Sequence, residues 1–266
     1  MKKITVPDIA GMKAGGRKIP VLTAYSFPMA RILDMAGIPM FIVGDSVGMV
    51  EAGYDNTMPV TMDEMIYHSR AVARGRTYAL VVTDMPFGSY QTGMDEARRN
   101  AARLVKEGGA EAVKVEGGGR MAGVIRAIAD MDIPVMGHIG LTPQSIYRMG
   151  GFRVQGRLDA EGERIIEDAR AVEEAGAFSV VLEGIPAGLA KEITGALKIP
   201  TIGIGAGPHC DGQVLVVNDM LGLNPDAHLP KYVKQYADLK GEISAATARY
   251  IKDVSEGIFP SEEHSY

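Results

Sequence analysis

Eight short apolar segments, most of them rich in β-branched residues, recur along this chain of 266 residues and restrict its possible folds more than any other feature. Each segment is nearly continuous in its apolar character, which is typical of parallel strands buried on both faces. The segments begin at Ile19, Met40, Ala79, Glu111, Ile133, Phe178, Ile199 and Gln213. The sequence therefore predicts eight strands in a largely parallel sheet.

The stretches between these segments have the periodicity and the end signals of helices. Thr61 followed by Glu64 forms a capping-box pattern, which marks the beginning of a helix. A second helical pattern ends at the glycines 108 and 109, where a left-handed residue can close it. A third runs from about Asp159 to Gly176. Strands and helices thus alternate along the chain.

Two folds are compatible with this alternation: a closed (β/α)8 barrel and an open doubly wound sheet. Eight units in 266 residues allow about 33 residues each, the usual size of a unit in a TIM barrel. The G-x-G-x-x-G pattern of a dinucleotide-binding sheet does not follow the first strand segment. We therefore predict a (β/α)8 TIM barrel that forms a single domain over residues 1–266, with a C-terminal helix and tail at 241–266.

The composition excludes several classes of function. A formal net charge of −5 argues against binding to nucleic acid, which requires a basic surface. Cys210 is the only cysteine, so the chain can form neither an internal disulfide nor a cysteine-rich metal cluster. The sequence has no apolar stretch long enough for a signal peptide or a membrane span. We expect a cytoplasmic protein that acts on small molecules and binds neither membrane nor nucleic acid.

Acidic residues stand at the ends of three consecutive strand segments: Asp45, Asp84 and Glu116. The carboxyl ends of barrel strands form one rim, where catalytic residues lie. Two carboxylates about 6 Å apart repel each other by roughly 3 kcal/mol at an effective dielectric constant of 20, and the single ammonium of Lys114 does not balance three of them. Oxygen ligands favour Mg²⁺, so we expect a magnesium site; the alternative, that these acids cap helices or pair with arginines, stays open.

Two further strand ends carry groups suited to proton transfer. Glu183 follows an apolar segment, so its carboxylate is partly shielded from water and can serve as a general base. A hydrogen bond to a loop backbone is its structural alternative. His138 ends the fifth strand segment, where it can orient a substrate or play a purely structural part. We expect Glu183 to act as the base and His138 to contact the substrate.

Six collinear segments of the chain form a distinctive set of motifs. The segments are GDSVGMV from Gly44, PVTMDEMIYHSRAV from Pro59, DMPFGSYQ from Asp84, AVKVEGG from Ala112, GHIGLTPQS from Gly137 and IGIGAGPHCDGQVLV from Ile202. In these segments the chain closely resembles the ketopantoate hydroxymethyltransferase family, and the resemblance extends from about Thr5 to the C-terminus.

The resemblance implies a (β/α)8 barrel that transfers a hydroxymethyl group from 5,10-methylenetetrahydrofolate to 3-methyl-2-oxobutanoate in pantothenate biosynthesis. It also implies a large homo-oligomer, such as a decamer. The implied residues are Mg²⁺ ligands at Asp45, Asp84 and Glu116, 2-oxoacid contacts at Asp45, Ser46, Asp84 and Lys114, and a general base at Glu183. Lys114 would also stabilise the negative charge that develops during catalysis.

Two positions depart from the pattern of this family. Ser26 stands where an aspartate is common, and Asn218 stands where a histidine is common. Neither is among the implied catalytic residues, but both can alter the polarity of the rim.

Two other functions remain open. One is a Mg²⁺-dependent 2-oxoacid lyase or mutase similar to the isocitrate lyase and phosphoenolpyruvate mutase group. Lyases of that group carry a catalytic cysteine loop, whereas Cys210 lies in a glycine-rich loop after the seventh strand segment. The other is a non-catalytic barrel that binds a 2-oxoacid. Such a protein would be expected to have lost Lys114 or Glu183, and both are present.

Overall fold

Eight parallel strands close into a barrel in the order in which they follow along the chain. The computed structural model describes residues 2–224 and 229–266. The closed sheet confirms the predicted (β/α)8 architecture, and an open sheet is excluded. The strands are β1 Ile19–Thr23, β2 Met40–Val43, β3 Leu80–Asp84, β4 Ala112–Glu116, β5 Val135–Gly140, β6 Ser179–Glu183, β7 Thr201–Ile204 and β8 Gly212–Leu215.

Helices within residues 27–196 connect most of the strands and cover the outside of the barrel. The predicted capping box is confirmed, because the Thr61 hydroxyl accepts from the Glu64 amide and the Glu64 carboxylate accepts from the Thr61 amide. The helices are α1 Val6–Ala14, α2 Phe27–Ala36, α3 Val47–Val50, α4 Met62–Gly75, α5 Met94–Lys106, α6 Ala122–Ala129, α7 Ile146–Met149, α8 Asp159–Glu174, α9 Ala187–Ala196, α10 Val217–Met220 and α11 Leu239–Ser255. Short 3₁₀ turns lie at Gly119–Met121, Pro143–Ser145 and Glu262–His264.

The interior of the barrel is filled by apolar side chains from alternate strand positions. Leu80 and Val82 of β3 both belong to this core, as the two-residue period of a strand requires. Residues from the other strands complete it: Ile19, Val21, Met40, Ile42, Ala112, Met136, Val181, Ile202, Ile204 and Val214. The interior is therefore a packed core and not a pore, as in other TIM barrels.

Helix α1 closes the N-terminal end of the barrel. Ile9, on this helix, is fully buried in the same apolar core, and Val6 and Met12 pack against that core. Lys13 extends from α1 to Asp211, just before β8, with 2.9 Å between Nζ and Oδ2. This end of the barrel is thus occupied by packing, which leaves the C-terminal ends of the strands for chemistry.

The chain divides into two compact units, of which the barrel unit extends to Val216 and the second comprises residues 217–266. The second unit contains α10 and α11, and Asp238 caps α11 by accepting from the Gly241 amide at 3.1 Å. The C-terminal helix thus begins at Leu239, within two residues of the predicted start. The assignment of residues 1–266 to a single domain stays a prediction. Within residues 2–224 and 229–266, the helices are all too short or too polar to cross a bilayer.

Candidate active site

The uppermost layer of the barrel interior is polar, although the layers beneath it are apolar. On β3, Asp84 follows Val82 on the same inward face, and on β4, Lys114 and Glu116 follow Ala112. The strand register places Asp84 beside Lys114 and Glu116 beside His138. We call this layer, together with the loop residue Asp45, the mouth cluster; it consists of Asp45, Asp84, Lys114, Glu116, His138 and Glu183.

Lys114 is the cation at the centre of the mouth cluster. Its Nζ lies 3.1 Å from Asp84 Oδ2 and 3.7 Å from Glu116 Oε1. Burial by itself would lower the pKa of Lys114, but the surrounding carboxylates, Asp84 first among them, outweigh burial and raise this pKa above its ordinary value. Lys114 is therefore a permanent positive charge in the barrel mouth.

His138 joins Lys114 and Glu116 to Glu183. Its Nε2 lies 3.0 Å from Glu183 Oε2, and its Nδ1 lies 3.5 Å from Glu116 Oε1. Burial and the charge of Lys114 oppose protonation, but the two carboxylates outweigh them and raise the pKa of His138 to about 9. The ring is thus an imidazolium at neutral pH. Its Nδ1 is 3.2 Å from Lys114 Nζ, and the carboxylate of Glu116 beside both groups offsets the repulsion.

Asp45 lies in the loop directly after β2 and completes the mouth cluster. Its backbone amide donates to Asp84 Oδ2 at 3.1 Å, which brings the two carboxylates together. Burial, followed by the charges of Asp84 and Glu116, raises the pKa of Asp45 well above its ordinary value. The pKa of Asp84 is also raised, mainly by burial, although Lys114 lowers it.

Glu116 differs from Asp45 and Asp84 in the direction of its pKa shift. Burial would raise its pKa, but the hydrogen bond and charge of His138, together with Lys114, lower this pKa below its ordinary value. Glu116 therefore stays ionised and is already engaged by cations, whereas Asp45 and Asp84 are held in surroundings that disfavour their negative charge.

The charge of the mouth cluster fits a divalent cation. Four carboxylates face two cationic side chains, so full ionisation leaves two negative charges uncompensated. Asp84 Oδ1 is buried and has no hydrogen-bond partner, although a buried carboxylate oxygen normally has one. In the described ranges, no group of three His, Cys, Asp or Glu side chains forms a ready-made metal cage. Mg²⁺ needs no such cage, because it commonly binds one or two carboxylates and keeps several waters.

Gln144 and Tyr90 belong to the site, although no sequence pattern identifies them. Gln144 is in the Pro143–Ser145 turn after β5, and its side-chain amide donates to Asp45 Oδ2 at 2.8 Å. Its backbone amide donates to Glu116 Oε2 at 2.9 Å. Tyr90 Oη donates to Gln144 Oε1 at 2.7 Å. A glutamine in a polar loop has no sequence signal for burial, so only the folded chain identifies it.

Ser46, the remaining predicted substrate contact, lies beside the mouth cluster. Its hydroxyl is 2.8 Å from the hydroxyl of Tyr25, which follows β1. The two departures from the family pattern have different surroundings: Ser26 caps α2 by accepting from the Met29 amide, and Asn218 is buried in α10. The structure thus gives Ser26 a local role in helix capping.

A cavity of about 380 Å³ borders the mouth cluster on the side of β3, β4 and β5. Glu116, Tyr90 and Gln144 form part of its wall, and Arg120 and Arg148 contribute positive charge. A cavity of this size accommodates a small organic molecule.

The fold is similar to that of several solved enzymes. A phosphonopyruvate hydrolase, solved in complex with oxalate and Mg²⁺, matches with a TM-score of 0.61 and 13% identity over 99% of this chain and 93% of that chain. A 2,3-dimethylmalate lyase of the PEP mutase/isocitrate lyase superfamily matches with a TM-score of 0.62 and 16% identity over 98% and 91% of the two chains. At such identities the similarity concerns the fold alone.

Sequence comparisons assign the chain to a family. The model of the family described as ketopantoate hydroxymethyltransferase matches residues 3–262. A 3-methyl-2-oxobutanoate hydroxymethyltransferase of Geobacter metallireducens is 62% identical over 265 residues, which cover 100% of this chain and 99% of the relative. One of Geobacter sulfurreducens is 64% identical over 262 residues, or 98% of each chain. This chain therefore belongs to the ketopantoate hydroxymethyltransferase family.

Proposed function

We propose that the protein transfers a hydroxymethyl group from 5,10-methylenetetrahydrofolate to 3-methyl-2-oxobutanoate, giving 2-dehydropantoate for pantothenate biosynthesis. The observation that carries this proposal is the mouth cluster, in which the Glu183 carboxylate adjoins buried cationic and acidic side chains that would suit a metal-bound 2-oxoacid. Membership of the family supports the reaction type.

Asp45, Asp84 and Glu116 are the residues that would hold Mg²⁺. Asp45 and Asp84 are the better candidates for direct contact, because their negative charges are poorly compensated and Asp84 Oδ1 is without a partner. Glu116 would contribute mainly through its charge, since Lys114, His138 and Gln144 already engage it. When bound, the ion would draw electron density from the 2-oxo group and make the C3 proton more acidic.

Glu183 is the proposed general base. Its side chain is the most exposed of the mouth cluster, at 13%, and its Oε2 contacts the imidazolium of His138. It would accept the C3 proton of the 2-oxoacid. Lys114 and His138 would bind the 2-oxoacid and stabilise the negative charge that the lost proton leaves behind. Asp45, Ser46 and Asp84 are the other proposed substrate contacts.

The remaining steps concern the carbon that is transferred. The C3 carbon of the 2-oxoacid forms the new carbon–carbon bond with the methylene carbon of the folate. The two bonds from the methylene carbon to the folate nitrogens break. One water supplies the hydroxyl group, and tetrahydrofolate is released. The cavity beside Glu116 offers room for a second substrate.

A solvent-exchange experiment tests the first half of this reaction separately from the second. The protein is incubated with 3-methyl-2-oxobutanoate in D₂O without folate, with Mg²⁺ or with a chelator, and the C3 proton is followed by NMR. We expect exchange that depends on Mg²⁺ and on the protein. Addition of 5,10-methylenetetrahydrofolate should then yield 2-dehydropantoate.

Two outcomes would contradict the proposal. The lack of any exchange would favour a barrel that binds a 2-oxoacid without catalysis. Exchange or cleavage without a folate-dependent product would favour a lyase or mutase reaction.

We also propose that the protein is cytoplasmic, as its sequence composition indicates, and that it is a homo-oligomer, as the family resemblance implies. Helix α11 supports association, because it has no buried residue and exposes apolar side chains such as Ile243 and Tyr250. Light scattering coupled to size-exclusion chromatography should give a mass near ten chains of 28.4 kDa, whereas a monomer would contradict this proposal.

A further inference from the structure

One residue of the loop after β5, Gln144, is hydrogen-bonded to the ends of three consecutive strands, through its side chain to two of them and through its backbone to the third. The Gln144 amide donates to Asp45 Oδ2, just beyond β2, at 2.8 Å, and to the Met85 carbonyl, just beyond β3, at 2.9 Å. The backbone amide of Gln144 donates to the carboxylate of Glu116, the last residue of β4, at 2.9 Å. Gln144 is 5% exposed, so these bonds are shielded from water.

The hydrogen-bond network fixes the orientation of this side-chain amide. The Glu116 backbone amide can only donate, so the Tyr90 hydroxyl, 3.1 Å away, accepts from it. The proton of that hydroxyl has Gln144 Oε1 as its nearer acceptor, at 2.7 Å, and the Glu116 carbonyl as the more distant one, at 3.3 Å. The Met85 carbonyl can only accept, so it requires the Gln144 nitrogen. Both amide protons are therefore used, and one of them is directed at Asp45.

We infer that Gln144 is a positioning residue for the metal site: it fixes the Asp45 carboxylate beside Asp84 and thereby sets the affinity for the divalent cation. The inference rests on the magnesium site of the proposed function. Side chains that hydrogen-bond to the ligands of a metal determine the orientation of those ligands. The loss of such a side chain typically weakens metal binding by about 10- to 100-fold. Asp45 needs such a partner, because it lies in a loop and is repelled by Asp84 and Glu116.

The test measures metal binding by the full-length protein without substrate. Mn²⁺ serves as the probe, and its free concentration is followed by electron paramagnetic resonance, with Mg²⁺ added as a competitor. Gln144→Ala removes the amide, and Gln144→Met removes it while keeping most of the side-chain volume. We expect both variants to raise the dissociation constant for Mn²⁺ by about 10- to 100-fold.

Gln91→Met is the matched control. Gln91 donates to Gln144 Oε1 at 3.1 Å, but it is exposed and contacts the mouth cluster only through Gln144 among the hydrogen bonds of the described residues, so its loss should change the affinity less than about twofold. A second readout separates positioning from a purely structural role. If Gln144 acts through the metal, saturating Mg²⁺ should restore the turnover of Gln144→Met to within a few-fold of the wild type. A structural defect would not respond to Mg²⁺.

Three results would overturn the inference. Unchanged Mn²⁺ affinity in a folded Gln144→Met variant would exclude the positioning role. A similar loss in Gln91→Met would show that the whole network, and not the bond to Asp45, sets the affinity. Failure of the wild-type protein to bind Mn²⁺ or Mg²⁺ would instead refute the proposed metal site itself, and with it this inference.

Discussion

The lower and upper layers of the barrel interior are built on the same strands and are both largely buried, yet the lower layer is apolar and the upper layer is charged. Leu80 and Val82 of β3 pack among apolar neighbours, whereas Asp84, two residues further along the same face, meets Lys114 and Asp45. Burial stabilises the lower layer through the hydrophobic effect and close packing. In the upper layer the same burial disfavours charge and raises the pKa values of Asp45 and Asp84.

Under the proposed function, this contrast assigns stability to one layer and chemistry to the other. Buried ion pairs are weak contributors to stability, because desolvation offsets much of their attraction. The proposed chemistry therefore accounts for the cluster of buried charges better than stability does, and groups with strongly shifted pKa values are concentrated at functional sites. Substitutions in the two layers should therefore have opposite signatures.

The largest effect is expected from Glu183→Gln in the upper layer. Loss of the general base should slow C3 proton exchange and turnover by about 100- to 10,000-fold, because the amide cannot accept the proton. Thermal unfolding should change little, since the replacement is isosteric and Glu183 is partly exposed. Glu192→Gln, on the exposed surface of α9, is the matched control and should retain full activity. Wild-type exchange in Glu183→Gln would show that another group is the base.

The lower layer should respond in the opposite way to Leu80→Ala. Leu80 is 2% exposed, and truncation of such a residue leaves a cavity that costs about 2–5 kcal/mol in the free energy of unfolding. Denaturant titration measures this loss, while kcat of the remaining folded protein should stay near the wild-type value. A loss of kcat without a loss of stability would contradict the assignment of stability to the lower layer and catalysis to the upper layer.

A third substitution, Asp45→Asn, should make the metal-free protein more stable at the expense of metal binding. Removing one of the repelling carboxylates should raise the free energy of unfolding by about 1 kcal/mol at pH 8. Thermal unfolding with and without Mg²⁺ tests both parts of the prediction. The wild type should be stabilised by Mg²⁺ and the variant should not, and a variant that still responds to Mg²⁺ would indicate that Asp45 is not a ligand.

The smallest effect is expected outside both layers, at the capping box of α4. Thr61→Ala should cost about 1 kcal/mol of stability. Hydrogen bonds from the Thr61 amide and hydroxyl lower the pKa of Glu64 below its ordinary value of 4.5. The contribution of ionised Glu64 is therefore present above pH 4.5 and is lost as the pH falls through the lowered value. The free energy of unfolding, measured between pH 3 and 7, should differ less between the wild type and the variant at the acid end of this range.

Much of the fold and part of the site followed from sequence patterns. The eight apolar segments predicted the barrel strands, and Thr61 with Glu64 predicted the start of α4. Asp84, Lys114, Glu116, His138 and Glu183 could be placed at one rim because each lies at the C-terminal end of a strand or within two residues of it, and the structure brings them together. Gln144 and Tyr90 could not be found in this way, because each reaches the site from a loop whose path is set by contacts distant in sequence.

The sequence by itself determined the strand count, the apolar inward face and the family, because these depend on residue order and on the two-residue period of a strand. Only the tertiary structure decided which oxygen meets which nitrogen: Asp45 and Gln144 are 99 residues apart in sequence, yet their side chains are 2.8 Å apart. Electrostatic energies and pKa values vary steeply over such distances. Barrel closure and strand register, which no local stretch of residues encodes, therefore set the charge state of the site.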